Sequence, residues 1–181
     1  MRLLFKLAFK ITGWTISGDV PRDLKKYIII VAPHTSNWDF PIGVAVRSIL
    51  RFKSNFLGKK ELFDSRMGWL FRKLGGYPVD RSRSANMVDE VVKIIQREES
   101  FVVAIAPEGT RKRVEKWKTG FYHIASKAGI PIVMAAIDYP DKTVTFAAPF
   151  YPCGDLLKDA PVIQEFYKDK RGKNGMAAPV L

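Results

Sequence analysis

The chain has 181 residues, 47% of them hydrophobic, with one cysteine and two histidines. That length suits one well-packed domain. A single cysteine excludes an internal disulfide and, with two histidines, the usual structural zinc site, in keeping with a reducing compartment. A net charge of +12 calls for an anionic partner, whether nucleic acid, a lipid surface or an acidic protein.

The first segment, Met1–Ser17, sets Arg2, Lys6 and Lys10 four residues apart. They form one basic stripe of a helix whose remaining surface carries Leu3, Leu4, Phe5, Leu7, Phe9, Ile11, Trp14 and Ile16. Such a helix suits a membrane interface and is too short and too charged to span a bilayer, which takes about 20 mostly apolar residues. Lys6 and Lys10 interrupt any signal-peptide core, and no A-x-A-like cleavage site follows. A helix packed on the domain's own core is the alternative. Residues 1–20 are expected to form an N-terminal amphipathic, membrane-associating helix and residues 21–167 the folded domain. The basic, aperiodic residues 168–181 are expected to form a flexible tail.

Tyr27-Ile28-Ile29-Ile30-Val31-Ala32 is β-branched and uncharged, as in a strand buried on both faces. It delivers Pro33-His34-Thr35-Ser36-Asn37-Trp38-Asp39 to a sheet's carboxyl edge. A helical pattern then runs from Asp39 to Arg51, with Thr35, Ser36 and Asn37 available as caps. An imidazole held by a carboxylate is the usual general base for an alcohol. Five extended residues span roughly 17 Å, which would keep His34 from Asp39, whereas a turn entering a helix rises about 1.5 Å per residue and lets them meet. His-x4-Asp alone is a weak signal, and a histidine satisfied at a helix start fits the same residues.

Asn55-Phe56-Leu57 reads as a brief strand, and Glu61–Leu74 as a helix ended by Gly75-Gly76, from which Tyr77–Arg81 leaves extended with Arg81 at its end. Val88, Val91, Val92 and Ile95 follow helical spacing with Ser84 placed to cap, and Phe101–Ala106 is a second buried strand. Pro107-Glu108-Gly109-Thr110-Arg111 is thus a second polar loop at a strand's carboxyl end, where open α/β sheets bind ligands. Thr119–Ala128 is a short helix closed by Gly129, Pro131–Ile137 a third buried strand, and Val144–Phe146 a strand beside it. Helices alternating with buried strands predict a single-domain α/β fold with a mixed, mostly parallel central sheet flanked by helices.

Four stretches, His34-x4-Asp39, Gly75-Gly76-Tyr77-Pro78-Val79-Asp80-Arg81, Pro107-Glu108-Gly109-Thr110-Arg111 and Ile130-Pro131-Ile132, resemble, in order, the four motifs of the glycerolipid acyltransferase family. That family includes lysophosphatidic acid acyltransferases. Lys59-Lys60-Glu61-Leu62 and Lys118-Thr119-Gly120 also look like family pieces, so the resemblance covers roughly residues 25 to 150. It implies a glycerol-3-phosphate acyltransferase-like fold and transfer of a fatty acyl group from an acyl thioester, on coenzyme A or acyl carrier protein, to a lysolipid hydroxyl. His34 would be the base and Asp39 its orienting partner, with Arg81, Glu108, Gly109, Thr110, Arg111 and Lys59 in acceptor binding. Guanidinium forks and loop amides suit phosphate oxygens. No metal or redox cofactor and no protein nucleophile is called for, and Ser36 is better explained as a cap.

Pro33, Trp38, Pro78 and Lys112 depart from the family pattern, which bears on the acceptor: a lysophosphatidic acid by default, or another lysolipid such as an acylated amino acid with a free hydroxyl. A nucleic-acid-binding module would also explain the charge, but no helix-turn-helix, zinc-finger or RNA-binding signature appears, and no nucleic acid is expected. A hydrolase using the same pair lacks a G-x-S-x-G nucleophile. The expected partners are a membrane lipid surface, the lysolipid and the acyl donor, with the protein peripheral on the inner, cytoplasmic face of the membrane.

Overall fold

The computed structural model describes residues 1–79, 84–179 and 181, without the side chains of Lys59 and residues 84–86. In chain order the elements are α1 (Arg2–Thr12), β1 (Thr15–Ser17), β2 (Lys26–Ala32), α2 (Asp39–Leu50), β3 (Asn55–Lys59), α3 (Lys60–Phe63) and α4 (Gly68–Lys73). They continue as β4 (Gly76–Val79), α5 (Ser84–Arg97), β5 (Phe101–Ile105), α6 (Gly120–Ala128), β6 (Ile132–Asp138), β7 (Thr143–Phe146) and α7 (Leu156–Tyr167). The strands form one sheet in the order β1-β7-β6-β2-β5-β3-β4. β6, β2, β5, β3 and β4 run parallel, β7 is antiparallel to β6, and β1 is parallel to β7. The expected mixed, mostly parallel α/β architecture is therefore the observed one.

The central strands are apolar throughout because the sheet separates two cores. Ile28, Ile30 and Ala32 of β2, with Ile132, Met134 and Ala136 of β6, pack under α5, α6 and α7. Tyr27, Ile29, Val133, Ala135 and Ile137 point the opposite way, onto Phe9 of α1 and Ala45 and Val46 of α2. Alternation along each strand distributes its side chains between the faces, so neither face is free to be polar. Tyr167 closes the first core: its hydroxyl donates to the Ile30 carbonyl at 2.8 Å and accepts from the Ala135 amide at 3.1 Å, joining β2 to β6.

Four expectations need correction. The helix expected over Met1–Ser17 stops at Thr12, where Gly13 takes the left-handed conformation, and residues 15–17 pair with β7 instead. Gly is the residue that adopts that cap without strain, and β-branched Thr15 and Ile16 then suit an edge strand. The single helix expected over Glu61–Leu74 is two short ones. A Cβ on Gly68 would sit 2.0 Å from the Phe63 carbonyl oxygen, so the chain folds back on itself there. The helix α7 has no counterpart in the sequence reading. Pro161 lies inside it, and a proline frees the carbonyl four residues back, here that of Leu157, which is 86% exposed and open to water.

Residues 168–179, expected to be flexible, instead dock on the domain. Asp138, buried at the end of β6, accepts from the Arg171 amide and Lys170 Nζ, both at 3.3 Å. The Tyr139 amide donates to the Arg171 carbonyl, and the Lys173 amide to Thr35 Oγ1 at 3.0 Å. Gly172 lies so close to Thr35 that a Cβ would meet its Oγ1 at 2.3 Å. Backbone groups of Arg171 and Lys173 make most of these docking contacts, with Lys170 Nζ the charged one among them.

Candidate active site

The carboxyl ends of β6, β2, β5, β3 and β4 lie along one edge of the sheet, and the polar loops leave from there. From β2 the chain turns through residues 33–38 into α2, whose first residue is Asp39. His34 Nδ1 meets Asp39 Oδ2 at 3.0 Å, with the imidazole 20% exposed and the carboxylate 2%. The carboxylate at Nδ1 fixes the neutral ring as the Nδ1–H tautomer. Nε2 is left to accept a proton from outside.

The turn is organised around the carboxylate rather than by a capping hydroxyl. Asp39 Oδ2 also accepts from the Thr35 and Ser36 amides, each at 3.0 Å, and Oδ1 accepts the Tyr139 hydroxyl at 2.6 Å. Thr35, Ser36 and Asn37 do not cap α2. Its N-cap is Trp38, with no side-chain bond, while Ser36 Oγ accepts from the Trp38 amide at 3.2 Å within the turn. Burial alone would raise the Asp39 carboxyl; the bonds from His34, Tyr139 and the Ser36 amide outweigh it and hold the group below the ordinary carboxylate range. Asp39 is therefore an anion beside the imidazole.

Glu108 lies against the His34 turn. It is 4% exposed, and its Oε1 accepts from the His34 backbone amide at 2.8 Å, tying the loop after β5 to the loop after β2. Burial pushes its carboxyl up, only partly opposed by the His34 amide bond. Its carboxylate thus supports the His34 turn. Gly109 follows in the left-handed conformation with the Lys118 side chain over it, where a Cβ would be 3.2 Å from three of that chain's atoms. The Lys118 amide donates to the Pro107 carbonyl, and Thr110 Oγ1 accepts from the Lys112 amide. Arg111 is exposed at the rim. Lys59 ends β3, level with Val79 of β4, and its side chain lies outside the described residues, as does Arg81.

The edge thus brings His34, Asp39 and Glu108 into direct contact, with Gly109, Thr110 and Arg111 on the same loop. Tyr139 went unnoticed in the sequence. The available signal was a polar Asp138-Tyr139-Pro140 step after a buried strand, the same pattern that marks the His34 and Glu108 loops.

A carboxylate-held imidazole at the carboxyl edge of a parallel sheet can chemically accept a proton from a hydroxyl brought to Nε2. Residues 14–138 match the model of the Acyltransferase family, and the chain belongs to that family. It is similar to 1-acyl-sn-glycerol-3-phosphate acyltransferases from Salmonella typhimurium, 28% identical over 136 residues, and Saccharomyces cerevisiae, 27% identical over 166. Those alignments take in 69% and 83% of this chain but 53% and 48% of the relatives, so the chain spans about half the length of the curated relatives it matches. In fold it resembles the 1-acyl-sn-glycerophosphate (LPA) acyltransferase PlsC of Thermotoga maritima, with a TM-score of 0.60 at 20% identity, over 95% of this chain and 80% of that one.

Proposed function

We propose that the protein is an O-acyltransferase moving a fatty acyl group from an acyl thioester, on coenzyme A or acyl carrier protein, to the free hydroxyl of a lysophospholipid in membrane lipid biosynthesis. The acceptor is 1-acylglycerol-3-phosphate by default. The observation that carries this reading is the 3.0 Å His34–Asp39 bond, which leaves Nε2 at a partly exposed position to receive the acceptor's proton. The hydroxyl oxygen attacks the thioester carbonyl as Nε2 takes its proton, and Asp39 stabilises the imidazolium. The tetrahedral intermediate then expels the thiolate with cleavage of the C–S bond, and the imidazolium returns the proton to sulfur. Arg111 and the loop residues Gly109 and Thr110 bind the acceptor's anionic head, together with Lys59 and Arg81.

The protein works attached to the inner face of the membrane. The placement of α1 supports this: Phe9 is buried in the core, while Leu3, Leu4, Leu7 and Ile11 are 53–81% exposed beside exposed Lys6 and Lys10. Among the described residues no helix is long and apolar enough to cross a membrane. The reading is tested by incubating parent and His34→Ala protein with acyl-CoA or acyl carrier protein donors and a panel of lysolipids, including a lyso-aminolipid, and identifying products by mass spectrometry. The expected result is diacylated phosphatidic acid from the parent and loss of product from the variant. Parent-level transfer by His34→Ala would sink the proposal.

A further inference from the structure

Three donors, the His34 imidazole and the Thr35 and Ser36 amides, converge on Asp39 Oδ2, all from within the catalytic turn. Its other oxygen, Oδ1, accepts the Tyr139 hydroxyl at 2.6 Å, from a residue 100 positions away. That length is typical of a bond to a charged acceptor. Tyr139 is itself held from two further sides. Trp14 meets its ring edge-on at 5.2 Å, and its amide donates to the Arg171 carbonyl at 3.0 Å. The preceding residue, Asp138, anchors Lys170 and Arg171. Burial and the Asp39 charge raise the phenol's pKa above its ordinary value, so it remains a neutral donor wherever the enzyme works.

We propose that Tyr139 is a positioning residue for acyl transfer: its hydroxyl fixes the plane of the Asp39 carboxylate and withdraws part of its charge, setting how the imidazole is aimed and how strongly it holds a proton. The proposal rests on the acyltransferase reading, in which His34 is the base. Four amides or side chains could hold a carboxylate buried; placing the fourth donor on the remote oxygen is what prevents rotation about the Cβ–Cγ bond, because both oxygens are then engaged. Without the phenol, Oδ1 is a buried acceptor with no donor, and the carboxylate gains freedom to turn away from Nδ1. Its charge also becomes concentrated toward the imidazole, which favours the protonated ring. The charged group that meets this pair from another element is Glu108 of the loop after β5; Lys170 and Arg171 of the docked tail engage Asp138, and Lys173 lies over the Trp38 ring at 5.3 Å. All of them are unchanged by substitution at 139.

The test is Tyr139→Phe, measured for steady-state kinetics against pH and for the low-field Nδ1–H proton resonance of His34. The expected outcome is a plateau kcat lower by about tenfold, KM for either substrate within about twofold, and an acidic limb moved to higher pH. The Nδ1–H resonance should shift. An unchanged plateau and limb in a variant that melts with the parent, or a loss confined to KM, would overturn the proposal. Should Tyr139→Phe fail to fold, 3-fluorotyrosine at 139 keeps the shape and strengthens the donor. The acidic limb should then move to lower pH, and an unmoved limb overturns the idea. If the parent transfers no acyl group, the functional reading fails by itself and the resonance decides: a shift in Tyr139→Phe supports the positioning bond, and an unshifted resonance refutes it.

Discussion

Replacing Asp39 by Asn separates what its charge does from what its shape does. The position of Oδ2 faces three donors, and an amide NH2 there would meet all of them. The Asn oxygen therefore takes that position and its NH2 turns toward Tyr139, whose hydroxyl oxygen can accept once its proton rotates away. His34 keeps the Nδ1–H tautomer, and what disappears is the negative charge beside the imidazolium formed during attack. Unit charges at the 3.0 Å contact attract by about 5 kcal/mol at an effective dielectric constant of roughly 20. Taking that as a ceiling, kcat should fall on the order of 10²–10⁴-fold, with the acceptor KM little changed. Initial rates of thiol release from acyl-CoA, with the Nδ1–H resonance as control, measure both effects. A kcat within tenfold of the parent, or a large loss accompanied by disappearance of that resonance, would refute the reasoning, since the first leaves no role for the charge and the second means the tautomer reversed. The same substitution has a stability signature. The folded-state pKa of Asp39 is depressed, so its contribution is present above the unfolded value of about 3.9 and is lost as pH falls through the folded value. Acid melting should therefore cost the parent more stability than it costs Asp39→Asn.

Glu108→Gln keeps an acceptor for the His34 amide and removes a buried charge whose folded pKa is raised. The stability of the parent is fully expressed below the unfolded carboxylate pKa and declines as pH rises through the folded one, so Glu108→Gln should melt higher than the parent at pH 8 and equally at about pH 4. Its kcat should stay within a few fold, while Glu108→Ala should lower kcat by tenfold or more. A raised acceptor KM in Glu108→Gln would show instead that the carboxylate binds the acceptor. Arg111→Ala should raise the acceptor KM by on the order of tenfold or more, with Arg111→Lys restoring only part, because an ammonium lacks the planar fork. An unchanged KM removes Arg111 from the acceptor site. Changing Leu3, Leu7 and Ile11 together to Ser should abolish sedimentation with anionic liposomes at high salt without lowering the melting temperature, since these side chains are exposed. Undiminished sedimentation would place the lipid contact elsewhere.

Much of the sheet was legible because β2, β5 and β6 are buried on both faces and read as uninterrupted apolar runs. The His34–Asp39 contact was legible because it is local, a turn entering a helix. The contact of Glu108 with the His34 turn was not legible, since its partner is an amide 74 residues away that carries no side-chain signature. Tyr139 was hidden by sequence distance alone, since its partner, the Asp39 carboxylate, lies 100 residues away. The docked tail was misread because Lys170, Arg171 and Lys173 look solvated until the buried Asp138, the Thr35 hydroxyl and the Trp38 face are brought to meet them. Gly68 and Gly172 carried information that composition could not decode: each marks a backbone contact with no room for a Cβ, and the partner, Phe63 or Thr35, is set by the fold.

The same long-range contacts connect the proposed membrane helix to the chemistry. At one end of α1, Arg2 Nε donates to the carbonyl of Ile49 near the end of α2. Just past its other end, Trp14 packs on Tyr139, whose hydroxyl holds Asp39 at the start of α2. The two helices therefore run antiparallel, and the exposed stripe of Leu3, Leu7 and Ile11 extends from the distal end of α2 toward the His34 turn. A bilayer contacting that stripe would lie along the α2 side of the sheet and approach its carboxyl edge near Gly13. A lysolipid held in such a bilayer, its acyl chain among its neighbours and its hydroxyl at the headgroup level, would have a short path to His34 Nε2. Polar Arg111 and Lys118 on the loop after β5 would then meet the headgroup from the aqueous side. Membrane attachment on this geometry would do more than concentrate the acceptor: it would fix which end of the lipid arrives at the proposed base.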